Sequence, residues 1–151
     1  MTELVDGRAL AAACAGQTAA AAAALRDRGV IPTLAVLLPT GDPGAAWYVR
    51  SIQRAAARSG VDCQVHEERG PGIAARLARL SADPAVHGVI CQTPLPEGIV
   101  LADVAAAIEV GKDVDGANPA SLGRLAAGRP GCSRPRPPLP CWRSSGTGRS
   151  R

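Results

Sequence analysis

Three short runs, residues 33–38 (TLAVLL), 62–67 (DCQVHE) and 87–92 (HGVICQ), alternate with stretches of helical composition, and this alternation most constrains how the chain can fold. TLAVLL is apolar at nearly every position. Such a run has to be covered on both faces, which is the condition of a strand inside a parallel sheet rather than of one with a wet face. Strands that alternate with helices build βαβ units, so the predicted fold is a three-layer α/β domain with a parallel sheet.

The connecting elements can be placed from their end signals. Asp6 is read as the N-cap of a long Ala-rich helix running to about Arg28, with Gly29 as its stop. GDPG at residues 41–44 turns the first strand into a second helix that ends near Gly60. Further helices are expected at about residues 73–80 and 101–108, and Asn118 followed by Pro119 has the pattern of an N-cap and first-turn pair opening one more short helix.

Composition narrows the class. The 151 residues are 46% hydrophobic, which suffices for one domain with a usable core. Thr2, Glu3 and Asp6 stand where a secretory signal needs basic residues, and no segment reads as a membrane span, so a cytoplasmic location is expected. The five cysteines (Cys14, Cys63, Cys91, Cys132 and Cys141) form an odd set without CxxC pairs, which argues for free thiols rather than a disulfide framework or a zinc site. The net charge of +4 is misleading, because 6 of the 17 basic residues and none of the 13 acidic ones follow Gly128. Residues 1–128 carry 11 − 13 = −2, so the body shows no sign of a surface for nucleic acid or another polyanion.

Beyond Gly128 the chain reads GRPGCSRPRPPLPCWRSSGTGRSR when that glycine is included, with no acidic residue and no apolar periodicity. Such a segment cannot bury enough apolar area to offset its ordering entropy, so residues 127–151 are expected to be a disordered tail. One lysine, Lys112, against sixteen arginines points to GC-rich codons, in which a shifted frame yields Arg, Pro, Gly and Ser; the tail is therefore read as a frameshift product. No Gly-rich GxGxxG turn follows a strand, and the GTG at Gly146 is a chance match.

Chemistry concentrates between Val86 and Gly123, where an apolar strand, a proline-locked loop (QTPLPEG) and a double-aspartate turn (KDVDG) follow in fixed order. Gln92 ends the strand, and in open α/β sheets ligands bind beyond the carboxyl ends of the strands. Its alternative role is to satisfy backbone groups of the loop, and either X-Pro bond of that loop is a candidate for cis. Asp113 and Asp115 are two apart and should point to opposite sides of an extended segment, so only one faces a given pocket. Tyr48 is the only tyrosine of a chain without phenylalanine, and positions 45, 48 and 52 share one helix face. Its alternative is packing between helix and sheet. His66 and His87 form no nucleophile or metal constellation, His87 is given a structural role at the strand start, and Cys91 should face the core.

VHGVICQTPLPEGI and GKDVDGANPASLG, together with LVDGRALAAA, PTLAVLLPTGDPGAAWYV and LARLSADPAVHGV, resemble signatures of the bifunctional methylenetetrahydrofolate dehydrogenase/cyclohydrolase family. The resemblance covers roughly Leu4 to Gly128. It implies that residues 1–126 are the catalytic, folate-binding half of a two-domain enzyme whose NADP-binding Rossmann domain is absent from this chain. It also implies oxidation of 5,10-methylenetetrahydrofolate with NADP and hydrolysis of the methenyl product to 10-formyltetrahydrofolate, with reduced folate as partner and possible homodimers. By the same resemblance Gln92 contacts the folate and the catalytic lysine, Asp115 holds the pterin ring, Asp113 supports it as a folate contact, and Tyr48 packs on the substrate's aromatic part. Gln92 and Asp115 are the candidate catalytic residues.

The family's Ser-x-x-Tyr-Val-x-x-Lys reads here Ala45, Tyr48, Val49 and Ile52, so the proton-handling lysine is replaced. Arg54 is no substitute, lying about 200° further round the helix with a guanidinium too basic to shuttle protons. The chain alone is expected to be weak or inactive and to bind no NADP. Two rivals are a non-catalytic folate-binding or partner-subunit module and, ranked lowest, a polyanion binder acting through the Arg-rich tail, whose spacing lacks aromatic interleaving. Limited proteolysis should trim the chain from its C-terminus to near Gly128 and leave a resistant body, as intact-mass measurement would show. A tail as resistant as the body would contradict the reading of residues 127–151.

Overall fold

A computed structural model describes residues 7–128. The Asp6 cap, Cys132, Cys141 and the tail beyond Gly128 lie outside the described residues. The element order is α1 (Gly7–Asp27), β1 (Thr33–Leu38), α2 (Pro43–Arg58), β2 (Asp62–Glu67), α3 (Ile73–Ala82), β3 (Gly88–Cys91), α4 (Leu101–Ala105) and α5 (Pro119–Ala126). The strands form a parallel sheet in the order β2-β1-β3, with Val36 level with Val65 on one side and with Ile90 on the other.

The predicted α/β architecture follows from β1, which is flanked by both other strands and covered on both faces. Because successive side chains leave a strand on opposite sides, its four central and terminal apolar residues divide between two cores. Ala35 and Leu37 join Ile73, Leu77 and Leu80 of α3, Val89 and Cys91 of β3, and Val104, Ala105 and Ile108. Val36 and Leu38 join Ala45 and Val49 of α2, with Ile52, Val65 and Ile90 packed around them. Helices therefore cover the sheet on both faces.

The α2 and α5 starts use the same device. Asp42 accepts a hydrogen bond from the Ala45 amide at 2.6 Å ahead of Pro43, and Asn118 accepts one from the Ala120 amide at 2.7 Å ahead of Pro119. Each side-chain oxygen satisfies a helix-end N–H that has no intrahelical partner.

Two expectations need adjusting. The third strand is shorter than residues 87–92, yet its ladder extends past both ends, since the His87 amide donates to Thr33 O and the Gln92 amide to Leu37 O, both at 2.9 Å. The helix expected at 101–108 ends at Ala105. There the Ala107 and Ile108 amides donate three residues back, and the Glu109 amide donates to Ser81 Oγ at 2.7 Å, which draws the chain onto α3 instead of continuing the helix.

Gly88 sets how closely the double-aspartate segment approaches the sheet. The Val89 amide donates to Lys112 O at 2.7 Å and a parallel bridge joins Val89 to Asp113. A Cβ at Gly88 would lie 2.8 Å from Val114 Cγ1 and 3.3 Å from Leu34 Cδ1. Val114 is β-branched and stiff, so it cannot swing aside cheaply. Gly88→Ala should destabilise the fold by about 1–3 kcal/mol, the usual cost of overpacking. Urea denaturation checks this, and a midpoint equal to the wild type's would mean that the segment yields freely.

Candidate functional site

The C-terminal ends of β1 and β3 are the places where α2 and the proline loop begin, and these pieces meet the 115–117 turn around a cleft of about 790 Å³. Tyr48 of α2, Gln92 and Thr93 after β3, and Asp115, Gly116 and Ala117 of the turn line it, with Cys91, Leu101, Ala102 and Leu122 completing the walls. Three of the four residues expected to contact a ligand thus converge from stretches far apart in sequence.

Gln92 is half-buried, and its amide nitrogen donates to Thr93 O at 2.9 Å. The backbone role held open for it is therefore real, while its carbonyl side remains able to accept. The Thr93–Pro94 peptide is the cis bond of the loop. Tyr48 stands half out of the protein, 52% exposed, so the alternative of packing between helix and sheet does not describe it. Gly116 has φ +68°, a left-handed turn that reverses the chain directly after Asp115 and that a side chain would strain.

Asp113 departs from its expected part. It is fully buried and does not line the cleft; Oδ1 accepts from the Ala117 amide at 3.0 Å, and Oδ2 from the Asn118 amide at 2.9 Å and Ser121 Oγ at 2.6 Å. The reason is the alternation of an extended segment: with Asp113 bridged to Val89, its side chain turns inward and that of Asp115 turns out. Three protein donors engage its two oxygens, and of the two aspartates only Asp115 lines the cleft.

The Cys91 expectation also needs refinement. It belongs to the core, 7% exposed, yet its edge also forms part of the cleft wall. Burial, reinforced by the charge of Asp115, pushes its thiol up to about 11, so it is a neutral apolar surface at ordinary pH and no nucleophile. His87 has the structural role expected of it, its Nδ1 accepting from the Thr33 amide at 3.3 Å. His66 Nδ1 lies 2.8 Å from an Arg76 guanidinium nitrogen, and burial followed by that charge lowers its pKa. Among the described residues no group of three or more His, Cys, Asp or Glu is placed to hold a metal ion.

Ile52, the position matching the family's lysine, packs against the Val36, Leu38, Ala45 and Val49 cluster and is not among the cleft-lining residues. Leu101, Ala102, Ala117 and Leu122 were not foreseen as walls of the cleft. Small and aliphatic residues carry no chemical signature in a sequence, and only the tertiary contact of α4 and α5 with the turn assembles them.

This arrangement, a parallel α/β unit with a cleft beyond its strand ends, is that of the open-sheet class, in which ligands bind at such a place. The model of the tetrahydrofolate dehydrogenase/cyclohydrolase catalytic domain matches residues 5–115, and the chain belongs to that family. Bifunctional protein FolD of Parafrankia sp. is 56% identical over 129 residues, covering 84% of this chain and 47% of that protein. Bifunctional protein FolD 1 of Saccharopolyspora erythraea is 53% identical over 133 residues, covering 85% and 45%. Among solved structures, the FolD methylenetetrahydrofolate dehydrogenase/cyclohydrolase of Campylobacter jejuni superposes with a TM-score of 0.79 at 30% identity, covering 84% of this chain and 46% of that one. The Trypanosoma brucei enzyme, complexed with NADP cofactor and inhibitor, gives a TM-score of 0.73 at 28% identity, covering 82% and 44%. The chain spans about half the length of the relatives it matches. Among the described residues no helix is long and apolar enough to cross a membrane.

Burial, then the charge of Asp113, raises the Asp115 pKa above its ordinary 3.8. The native state therefore holds this proton more tightly than the unfolded chain. The associated stability is fully present below the ordinary value and is lost as pH rises through the raised one. Asp115→Asn should accordingly gain stability relative to the wild type as pH is raised from below 3.8 into the interval just above it. Urea midpoints of the two proteins across that interval provide the check; a constant difference would show that Asp115 titrates normally.

Proposed function

We propose that the cleft binds a reduced folate of the one-carbon pool. In this reading the Asp115 carboxylate accepts paired N–H donors of the pterin, the Tyr48 ring packs on the ligand's aromatic part, and Gln92 contacts the folate near the reacting carbon. The observation that carries it is the convergence of Tyr48, Gln92 and Asp115 on one cleft in a chain of this family. A carboxylate suits paired donors because it accepts two parallel hydrogen bonds with charge assistance, and an exposed tyrosine offers a flat apolar face with little entropy to lose.

The activity that goes with this site is oxidation of 5,10-methylenetetrahydrofolate with NADP and hydrolysis of 5,10-methenyltetrahydrofolate to 10-formyltetrahydrofolate. The start of α2, which follows the central strand, already holds the Asp42 carboxylate where a helix end would receive phosphate, so that helix end does not fit NADP. No step is therefore assigned to the cofactor here. Hydrolysis needs a positioned proton carrier, worth about 10²- to 10⁴-fold in rate, and Ile52 cannot supply one. A reading of this chain as a folate-binding module without turnover is favoured by that residue.

Calorimetric titration with 5,10-methenyltetrahydrofolate, beside the loss of its methenyl absorbance, tests both parts. Binding without hydrolysis above background is expected, and Asp115→Ala should weaken binding about 10- to 100-fold, the range for hydrogen bonds to a charged group. Ile52→Lys should raise hydrolysis, with a partial gain because its ammonium enters an apolar cluster and burial lowers its pKa. If the natural chain hydrolyses the substrate well and Ile52→Lys changes nothing while Gln92→Ala abolishes turnover, another group carries the proton.

A further inference from the structure

Ser121 sits in the first turns of α5, fully buried, and its hydroxyl donates to Asp113 Oδ2 at 2.6 Å. The two backbone donors that follow the cleft-lining Asp115 and Gly116, the Ala117 and Asn118 amides, are spent on the same carboxylate. Asn118 ties the assembly to the rest of the core, its amide nitrogen donating to Ile108 O at 2.7 Å. One residue after Ser121 stands Leu122, a wall of the cleft. A single buried anion thus holds the back of the turn that presents Asp115 and the helix that presents Leu122.

We propose that Ser121 is a positioning residue which, through the buried Asp113 carboxylate, couples the orientation of α5 to the placement of Asp115 on the cleft. Ser121 touches nothing in the cleft itself. With its hydroxyl gone, Asp113 keeps only the two backbone donors, one from the turn and one from the α5 cap, and the body of α5 loses its side-chain tie to the anion. A buried charge with a missing partner recruits water or shifts, and the loop shifts with it. The consequence for ligand affinity rests on the folate reading above, whereas the coupling itself does not.

The test is Ser121→Ala, examined first without ligand by amide hydrogen exchange. The Ala117 and Asn118 amides should exchange about tenfold faster or more, while Val36 and Leu37 in β1 keep their protection. Asp113→Asn, close in shape but uncharged, should loosen the same two amides and also bring the titration of Asp115 down toward its ordinary value. The ionisable groups around Asp115 are Asp113 on its own segment, Cys91 of β3 and Tyr48 of α2, and only the first changes in this variant. In Ser121→Ala the like charge remains, so that fall in titration should be absent. Methenyltetrahydrofolate affinity should drop about tenfold in Ser121→Ala with the urea slope unchanged.

Unchanged exchange at Ala117 and Asn118, or equal acceleration throughout β1, would overturn the coupling. If the wild-type chain binds no folate, the folate reading fails while exchange and titration still decide the coupling. Should Ser121→Ala not fold, Asp113→Asn carries the exchange readout alone.

Discussion

The rest of the structure depends on the burial of β1 on both faces. With a strand on each side and helices above and below, its alternate side chains seed two separate apolar cores, one under α2 and one under α3 and α4. Once those cores form, the end of β1 must open into α2, and the end of the neighbouring β3 must open into the proline loop. The cleft is the space those two exits leave, closed on its third side by the 115–117 turn. Its position is thus a consequence of parallel topology rather than of any one catalytic residue.

Two carboxylates of one short segment receive opposite roles from this framework. Asp113, bridged to β3, is surrounded by three donors and holds the backbone. Asp115, beyond it, meets the cleft and has its pKa raised by partial burial and by its neighbour's charge. The division sets a charge that holds backbone two residues away from one that lines the cleft, and the left-handed turn at Gly116 follows directly.

At Ile52 the chain departs from its family's motif. The helix that carries Tyr48 to the cleft is intact, with its Asp42 cap and its Ala45 and Val49 anchors in the core. At the next turn an apolar side chain extends that core instead of projecting an amine. Such a residue favours packing of α2 on the sheet and, in the proposed reading, removes the group that would handle protons. In the proposed reading recognition and chemistry rest on different residues of one helix face, so one can persist without the other.

The sequence by itself determined the element types and their order, because apolar burial on two faces, Asp or Asn before Pro, and glycine stops act within a few residues. It also separated Asp113 from Asp115 by strand alternation and marked Gln92, Tyr48 and Ile52 through the family's motif. The tertiary structure alone decided that α4 stops at Ala105, where Ser81 captures the Glu109 amide from a residue 28 positions away. It alone showed that Asp113 is consumed by Ala117, Asn118 and Ser121, and that Leu101, Ala102 and Leu122 wall the cleft. The physical reason is the same in each case: hydrogen-bond saturation and cavity shape depend on which distant groups arrive at one point, and short-range propensity carries no information about that arrival.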